Sequence, residues 1–337
     1  MKILIYDVDC KESGTTYPLK SAFEAIGHQA DMFDWRKYLF SYSNGSLPNR
    51  LKDRFLFDVV AYKINKELKK IIQNSGYDLF LVVRGEHIFS ETIEFAKKHI
   101  PKVVNWNSDD LFNKLNSSKH VIRAFDKFDT HFSPRPHLKE EYLSKGAKSF
   151  EPLYWYYRIG LLYPEPDFSS HTYENEVSFV GSWSKRREEF LTPLVDEKLA
   201  LYGWGWKKKM DTNAFTKWDF NNSIRIDDMM KIMSKSKINL NILTIENRDS
   251  NNFRNYEIPA SGGFQMSERS DFISELFEED KEIVCFESKE ELKSKCDFYL
   301  KNDSIREKIA LAGYNRLVKG NNALTDRAEQ IVKVALG

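Results

Sequence analysis

Two segments of the chain combine residue types that bind anions and hydroxyl groups. The first runs from Val177 to Arg187 and reads V-S-F-V-G-S-W-S-K-R-R. Its apolar strand leads into Gly181 and Ser182, and a helix is predicted a few residues later. Backbone N–H groups at such a turn attract anions, and Lys185 with the two arginines after it adds positive charge. The segment predicts a pyrophosphate site. The alternative is an ordinary strand–turn–helix with solvated basic residues, which would have the same sequence pattern.

The second segment, residues 247–264, reads N-R-D-S-N-N-F-R-N-Y-E-I-P-A-S-G-G-F and follows another apolar strand. Asp249 lies in the loop and Glu257 lies eight positions later in a short predicted helix. Both carboxylates can therefore face the same edge of a sheet and accept hydrogen bonds from vicinal hydroxyls. Arg254 between them can bind a phosphate through two parallel hydrogen bonds. The alternative is a helix N-terminus that favours acids, beside an exposed arginine.

The rest of the sequence predicts the elements that hold these segments. Short apolar runs such as residues 78–83 alternate with helical patterns, which is typical of parallel sheets with helices on both faces. A stretch rich in Pro, Ser and acidic residues, 163–176, divides the pattern. We expect an α/β protein with two doubly wound domains facing a cleft. They are assigned to residues 1–165 and 176–320, and the packing of a terminal helix at 321–337 against the first domain is left open.

One region of the first half reads as irregular. Residues 34–54 contain Asn44-Gly45 and Pro48, which are turn signals. A long amphipathic helix is predicted to follow over Phe55–Asn74. No function is assigned to this region from its sequence.

Composition excludes several classes of function. The 337 residues include 51 Lys+Arg and 50 Asp+Glu, so the formal net charge is +1 and no global attraction to nucleic acid or anionic membrane is expected. Three cysteines without a C-x-x-C pair or Cys/His cluster predict a reducing compartment and no zinc site. With neither a signal peptide nor an apolar run of about 18 residues, we expect a cytoplasmic protein without a membrane span.

The residues around Arg254 resemble a known family. The series Phe253-Arg254-x-x-Glu257-Ile-Pro-Ala260-x-Gly262-Gly263-Phe264 is similar to the signature of the CgeB-like (spore-maturation type) glycosyltransferases. The segment from Phe179 to Ser182 with Arg187 is similar to the same family, and so are tail residues 276–277, 282–284, 290–292, 299–300 and 313–314. The resemblance extends over residues 178–327. It implies a GT-B fold of two Rossmann-like domains, with a nucleotide-sugar donor held mainly by the second.

The resemblance also implies roles for individual residues. Glu257 would contact the nucleotide ribose, and Asp249, which stands where the family has Glu, would contact the donor sugar. Arg187 and Arg254 would stabilise the leaving diphosphate in place of a metal ion, so no metal or other cofactor is expected. Further contacts to the donor are assigned to residues of the turns and of the helix, namely Gly181, Ser182, Lys185, Tyr202, Gly203, Asn252 and Tyr256.

An inverting transferase also needs a general base, whereas a retaining one does not. Three candidates follow predicted strands of the first half, where residues of an α/β site lie. They are Glu86 and His87 after residues 78–83, and Asp109 after residues 103–106. Asp109 could instead cap a helix at 110–115, and His87 could be a hydrogen-bonded loop residue. Retention and inversion both stay open.

Several functions stay open at this point. The first is transfer of a hexose or pentose from a nucleotide diphosphate sugar, with UDP expected, to a glycan, glycoconjugate or other hydroxyl acceptor. The others are a GT-B epimerase or phosphorylase, and a catalytically silent protein that binds nucleotides or sugars. The basic cluster Trp206–Lys209 could face a polyanion such as modified DNA, but a solvated basic loop is the simpler interpretation.

Overall fold

The chain forms two compact α/β units in a computed structural model that describes residues 1–7, 19–74, 76–113, 117–157, 165–169, 172–222, 224–244 and 251–337. Unit 1 comprises Met1–Tyr154 and Thr325–Gly337, and unit 2 comprises Trp155–Leu324. Each described unit contains a six-stranded sheet in which all neighbouring strands are parallel. The predicted fold class is therefore confirmed.

The described strands follow the same doubly wound principle in both units. The order in unit 1 is β2-β1-β3-β4-β5-β6, and the order in unit 2 is β12-β11-β10-β7-β8-β9. The strands are β1 (Lys2–Asp7), β2 (Gln29–Asp34), β3 (Leu79–Val83), β4 (Lys102–Trp106), β5 (Thr130–Ser133), β6 (Phe150–Pro152), β7 (Asn175–Val180), β8 (Leu199–Tyr202), β9 (Trp218–Asn221), β10 (Ser236–Asn241), β11 (Gln265–Glu268) and β12 (Val284–Phe286).

Helices connect these strands, and several of them begin at a serine that caps the first turn. Ser118, Ser184 and Ser288 each accept a hydrogen bond from a backbone N–H three residues later. The described helices are α1 (Leu19–Ala25), α2 (Leu47–Phe55), α3 (Phe57–Gln73), α4 (Ser90–Ala96), α5 (Lys119–Ala124), α6 (Lys139–Ser144), α7 (Lys185–Leu191), α8 (Trp206–Lys209), α9 (Ile226–Ser234), α10 (Arg254–Ala260), α11 (Asp271–Leu276), α12 (Lys289–Lys301), α13 (Asp303–Lys319) and α14 (Leu324–Leu336).

In each sheet the strand order reverses between two neighbouring strands, which we call the switch point. In unit 1 it lies between β1 and β3, where Tyr6 pairs with Val82. In unit 2 it lies between β7 and β10, where Phe179 pairs with Leu240. Helices before and after the reversal cover opposite faces of the sheet, so the loops leaving the two strands diverge and leave room for a ligand. The candidate residues after β3, β7 and β10 thus lie at switch points.

The region at 34–54 differs from its sequence prediction. It contains a 3-10 turn at Trp35–Tyr38 and the helix α2. The long helix predicted at Phe55–Asn74 is observed as α3, which begins at Phe57 and ends at Gln73. Pro48 lies in the first turn of α2, where a missing N–H costs no hydrogen bond. The proline that suggested a turn therefore opens a helix.

The aromatic residues are mostly core residues. Phe179, Trp206 and Trp218 belong to one buried cluster of unit 2, and Trp206 is fully buried.

Among the helices of the described chain, none combines the length and apolar character needed to cross a membrane.

Candidate functional site

Strands β7 and β8 are each followed by a glycine, and the two glycines, Gly181 and Gly203, lie against each other. The N–H of Gly181 donates to the carbonyl of Tyr202 at 2.8 Å, and the indole of Trp206 donates to the carbonyl of Gly181 at 2.8 Å. A Cβ on Gly203, whose φ is +151°, would lie 2.0 Å from the Gly181 carbonyl oxygen. A Cβ on Gly181 would lie 2.9 Å from the Phe179 ring. Position 203 therefore requires glycine, whereas a side chain at 181 would displace the Phe179 ring.

The residue after this turn offers a backbone donor. Ser182 is exposed, and its N–H makes no hydrogen bond to any of the described residues. The N–H groups on either side are already used, because Gly181 donates to Tyr202 and Trp183 donates to Trp204. A free N–H at a glycine turn above a switch point is a group that can bind an anionic oxygen.

Arg187 bridges the ends of the two switch-point strands. Its Nε and Nη2 donate to the carbonyl of Ile242 at 3.1 and 2.9 Å, and its Nη1 donates to the carbonyl of Ser182 at 2.9 Å. Its guanidinium carbon lies 5.4 Å from the centre of the Phe179 ring. Carbonyls at strand ends carry partial negative charge. The guanidinium covers these carbonyls and leaves a net positive charge at the switch point.

Arg254 reaches the same strand end from the first residue of α10. Its Nε donates to the carbonyl of Val180 at 3.1 Å, and its Nη1 pairs with the carboxylate of Glu257 one turn later. Among the described residues its Nη2 has no hydrogen-bond partner. Because Arg187 and Arg254 bind carbonyls only two positions apart in the chain, the structure brings the two predicted guanidinium groups together.

A set of uncharged amides holds the start of α10. Asn241 and Asn252 exchange hydrogen bonds at 3.2 and 3.0 Å, and the Oδ1 of Asn252 also accepts from the backbone N–H of Arg254 at 3.0 Å. The Oδ1 of Asn255 accepts from the N–H of Asn252 at 3.1 Å. Asn241 also donates to the hydroxyl of Ser267 at 3.2 Å. We call these four side chains the amide network; it assigns Asn252, a predicted donor contact, a positioning role.

Arg186 and Glu268 form a second arginine–carboxylate pair, which no sequence pattern indicated. Arg186 binds Glu268 with both terminal nitrogens, one of them at 2.9 Å, and also donates to the carbonyl of Leu243 at 3.0 Å. Glu268 ends β11 and is almost fully buried. The pair joins α7 to the edge of the sheet, so the charge of Arg186 is matched within the fold.

The structure does not place three of the predicted donor contacts at the cationic site. Tyr256 is fully buried in a cluster with Ile258 and Phe277, so its side chain has no exposed surface in this structure. Lys185 is exposed and pairs with Glu188 at 2.8 Å, and Glu188 raises the pKa of Lys185. Asp249 lies outside the described residues.

The N-terminus of α7 also attracts anions less strongly than its sequence predicted. The helix after the glycine turn, α7, has only seven residues, and the Ser184 side chain already accepts from the N–H of Arg187. A short capped helix adds little field. The positive charge at the switch point therefore comes from the guanidinium groups.

A pocket of about 340 Å³ opens beside the glycine pair. It is lined by residues after β8 and at the end of β9, namely Gly203, Trp204, Gly205, Lys207, Lys208, Asn221 and Asn222. Trp204 is 66% exposed, so one face of its indole is available for stacking. Tyr202 is half-buried, and burial raises the pKa of its phenol. A flat polar ring bound in this pocket can stack on the indole of Trp204 and form hydrogen bonds with the amides of Asn221 and Asn222.

The switch point of unit 1 is acidic. After β3 the chain turns through Arg84 (φ +59°) and Gly85 (φ +90°), and Asn105 holds this turn by donating to the carbonyls of Val82 and Arg84 at 3.0 and 3.3 Å. Arg84 then binds Glu86 at 2.7 Å.

Glu86 and Asp109 are brought together by that arginine. Arg84 lies 3.8 Å from Asp109, and burial, supported by the charge of Asp109, raises the pKa of Glu86 despite the opposing effect of Arg84. Asp109 does not cap a helix, since described residues 110–113 form a turn capped by Asp110. A carboxylate with a raised pKa is a candidate general base.

The third candidate base, His87, is packed inside unit 1. It is 5% exposed and its ring lies between Trp35 and Phe57, with centroid distances of 4.7 and 4.5 Å. Burial, with a contribution from His120, lowers the pKa of His87 to about 4. A neutral ring in an aromatic sandwich is a packing element and a weak base. In the part of the chain that the structure describes, no three His, Cys, Asp or Glu side chains are grouped to hold a metal ion.

Comparisons with known proteins fit this geometry. A family profile described as glycosyl transferase-like matches residues 186–333. No curated protein sequence matches the chain. Anabaena HepE in complex with UDP and glucose shares 12% identity over 99% of both chains, with a TM-score of 0.61.

Two further solved structures are similar over almost their whole length. Sucrose-phosphate synthase from Thermosynechococcus elongatus has 12% identity and a TM-score of 0.68 over 99% of this chain and 98% of its own. An alpha-glucosyltransferase in complex with UDP-glucose and DNA containing an abasic site has 12% identity and a TM-score of 0.65 over 100% and 99%. At this identity the likeness shows the GT-B fold. The profile match supports a glycosyltransferase family, and the CgeB-like subtype stays a hypothesis.

Proposed function

We propose that the protein is a glycosyltransferase of the CgeB-like type that transfers a sugar from a nucleotide diphosphate sugar to a hydroxyl acceptor. The observation that carries this proposal is the convergence of Arg187 and Arg254 on the end of β7. Both arginines lie within the segment that matches the glycosyl transferase-like profile. Neighbours of the same fold in complex with UDP or UDP-glucose support a UDP-sugar as the donor.

The chemistry requires a cationic site for the leaving group. When the bond from the anomeric carbon to the diphosphate oxygen breaks, its electron pair stays on the diphosphate and positive character develops on the sugar. Arg187, Arg254 and the N–H of Ser182 would stabilise the added negative charge. Because they are held before the donor arrives, little reorganisation is needed during the reaction.

The remaining donor contacts follow from what surrounds these groups. Glu257 is 3% exposed and paired with Arg254, so we propose that it orients that arginine and also contacts the ribose. The pocket beside Trp204 would accept the nucleotide base. In unit 1, Glu86 with Asp109 is the proposed base if the reaction inverts the anomeric centre.

Titration calorimetry with UDP, followed by assays of UDP-sugar hydrolysis and transfer, tests the proposal. We expect wild-type protein to bind UDP and to release it from at least one UDP-sugar. Arg187→Ala and Arg254→Ala should both weaken binding or turnover, whereas Lys185→Ala, an adjacent cation outside the cluster, should change neither by more than about threefold.

The outcomes separate the alternatives. Equal UDP binding and turnover in both arginine variants and wild type would make the site assignment wrong. Binding without hydrolysis or transfer over a broad acceptor panel would indicate a silent binding protein. Conversion of the donor into an epimeric UDP-sugar, with no free UDP, would indicate an epimerase.

A further inference from the structure

Unit 1 carries a concentrated group of exposed apolar side chains that the candidate site does not use. Of the 13 large apolar side chains exposed among the described residues, seven fall between positions 42 and 62. Single exposed apolar residues are normal on a protein surface, but such a concentration is not. The seven are Tyr42, Leu47, Leu51, Phe55, Leu56, Val59 and Tyr62.

Helix α2 turns its apolar stripe towards solvent. Leu47, Leu51 and Phe55 recur every fourth residue, so they lie on one face of the helix, and they are 70%, 44% and 79% exposed. No residue of α2 is buried. A surface helix of a globular protein normally does the opposite and packs its apolar stripe against the core.

The polar face of α2 is the one attached to the unit. The carboxylate of Asp53 accepts hydrogen bonds from the N–H groups of Phe40 and Ser41 at 2.7 and 3.0 Å. Asn49 donates to Asn44 at 3.0 Å on the same side. These bonds fix the orientation of the helix, so the outward apolar stripe is a defined feature of the fold.

The exposed apolar surface continues onto α3, which is firmly anchored. Val59 and Tyr62 are 46% and 63% exposed, while Val60, Ile64 and Leu68 of the same helix are buried in the core of unit 1. The apolar side chains therefore stand on a rigid base. We call the seven exposed apolar side chains, with the basic residues that flank them on α2 and α3, the docking face.

The charge around these side chains is strongly positive. Residues 47–70 contain seven Lys or Arg and three Asp or Glu, a net charge of 7 − 3 = +4 against +1 for the whole chain. The acids are already used: Asp53 binds backbone N–H groups, Asp58 pairs with Lys119 and His120, and Glu67 pairs with Lys70. The basic residues are Arg50, Lys52, Arg54, Lys63, Lys66, Lys69 and Lys70.

We propose that the docking face binds the surface of a bilayer that contains anionic lipids. Leu47, Leu51 and Phe55 would enter the boundary between headgroups and acyl chains, and the flanking cations would lie among the anionic headgroups. An outward apolar stripe bordered by Arg and Lys is the pattern of helices that lie in this boundary. Each cation near an anionic leaflet strengthens binding about fivefold at low salt.

Vesicle co-sedimentation with the full chain tests this surface. We expect binding to phosphatidylcholine vesicles that contain roughly one-quarter phosphatidylglycerol, and at least about tenfold weaker binding to pure phosphatidylcholine. Raising NaCl from about 0.1 M to about 0.5 M should weaken the binding, since salt screens the headgroup charge. Equal binding to both vesicle types, or to neither, would overturn the proposal.

Paired variants locate the binding on the docking face. Leu51→Ser with Phe55→Ser, and Lys52→Gln with Arg54→Gln, should each lower binding to the anionic vesicles by at least about tenfold. The matched controls are Leu336→Ser, at a residue 71% exposed on α14, and Lys301→Gln with Lys308→Gln on exposed positions of unit 2. Controls that lose as much binding as the test variants would contradict the assignment.

Two further readouts keep the result interpretable. All substituted side chains are exposed, so circular dichroism melts should match the wild type. UDP binding should be unchanged in the docking-face variants because their substitutions lie in unit 1. If the same variants instead abolish concentration-dependent self-association in solution, and vesicles are not bound, the docking face is an interface between protein chains and the membrane proposal is wrong.

Discussion

The two switch points share a backbone arrangement and differ in charge. In unit 2 the ends of β7 and β10 are covered by Arg187 and Arg254. In unit 1 the loop after β3 presents Glu86 close to Asp109, with one exposed arginine between them. The same sheet topology thus provides one site suited to an anion and another suited to proton transfer. The residues just after the strands decide the chemistry, and the topology only decides where they lie.

Both switch points rely on a buried asparagine of a sheet strand. Asn105 of β4 holds the turn at Arg84, and Asn241 of β10 holds the loop before Arg254. Both side chains are almost completely buried. Uncharged amides therefore position the charged groups in each unit, and the comparison can be tested by changing the charges while leaving the amides in place.

Removing a cation from unit 2 should have the largest effect. Arg254→Ala should lower turnover of the donor by about 10²–10³-fold, the cost of one oriented donor in an anion site. Arg254→Lys should recover part of this loss because it keeps the charge but not the two-pronged geometry. Steady-state kinetics with a UDP-sugar provide the measurement. Unchanged turnover in the alanine variant would show that the cationic switch point is not catalytic.

Disturbing the glycine pair should destabilise unit 2. Gly203→Ala places a Cβ 2.0 Å from the Gly181 carbonyl oxygen, and we expect a loss of about 2–4 kcal/mol in the free energy of unfolding. Gly76→Ala in unit 1 is the control: its φ is +56° and a Cβ there meets no atom within 4 Å, so about 1 kcal/mol is expected. Urea denaturation measures the free energy of unfolding of both variants. Equal losses would mean that the backbone around Gly203 shifts to accommodate the added Cβ.

Neutralising the acid of unit 1 should lower activity and raise stability. If Glu86 is the base, Glu86→Gln reduces turnover by about 10²-fold. The pKa of Glu86 is raised, so the native state holds its proton more tightly than the unfolded chain does. The ionised side chain therefore destabilises unit 1 above its native pKa, and the variant should melt higher at pH 7.

The advantage of that variant should disappear below pH 4.5, where the carboxyl group is protonated in both states. Thermal melts at a series of pH values give the stability, and pH–rate profiles give the activity. Asp109→Asn is the control for loss of a nearby negative charge. A melting temperature that falls at pH 7 in Glu86→Gln would contradict the raised pKa.

Acid should weaken unit 1 before unit 2. Burial lowers the pKa of His87 and of His131 to about 4, so the unfolded chain takes up protons between pH 6.5 and 4 that the native unit does not. Each histidine should cost about 2 kcal/mol of stability at pH 5. His87→Phe keeps the stacking and removes the titration, whereas His99→Gln at an exposed position is the control. Limited proteolysis at pH 5 should cleave wild-type unit 1 first and the variant more slowly.

A chelator should have no effect. We expect EDTA to leave transfer unchanged because the two arginines supply the charge that a metal ion would supply. The control is the same assay with added Mg²⁺ or Mn²⁺ after dialysis. Activity that is lost with EDTA and restored by either ion would remove the distinction between a cationic and a metal-dependent switch point.

The sequence predicted the central strands well because their physical signal is strong. Strand β3 is a continuous apolar run followed by a polar turn, and this pattern is what a strand buried on both faces requires. The edge strands β6 and β9 were not predicted. β6 has three residues and β9 has four, and edge strands carry little apolar periodicity.

The site was predicted in part. Arg187, Arg254 and Gly181 could be found because they follow apolar strands at recognisable spacing. The burial of Tyr256 was not foreseen, since neighbouring positions on a helix point about 100° apart and only the fold decides which one faces the core. The pairing of Arg186 with Glu268 joins residues 82 positions apart, and local pattern contains no information about it. Two asparagines in the apolar strand β10 were the available signal for the amide network.

The amide network has a consequence for how the protein responds to its surroundings. Its members carry no net charge and do not titrate, so neither pH nor ionic strength should loosen the start of α10. The attraction between guanidinium groups and a diphosphate, in contrast, declines as ions accumulate around both. Ligand affinity can therefore vary over a wide range of solution conditions while the shape of the binding surface stays constant.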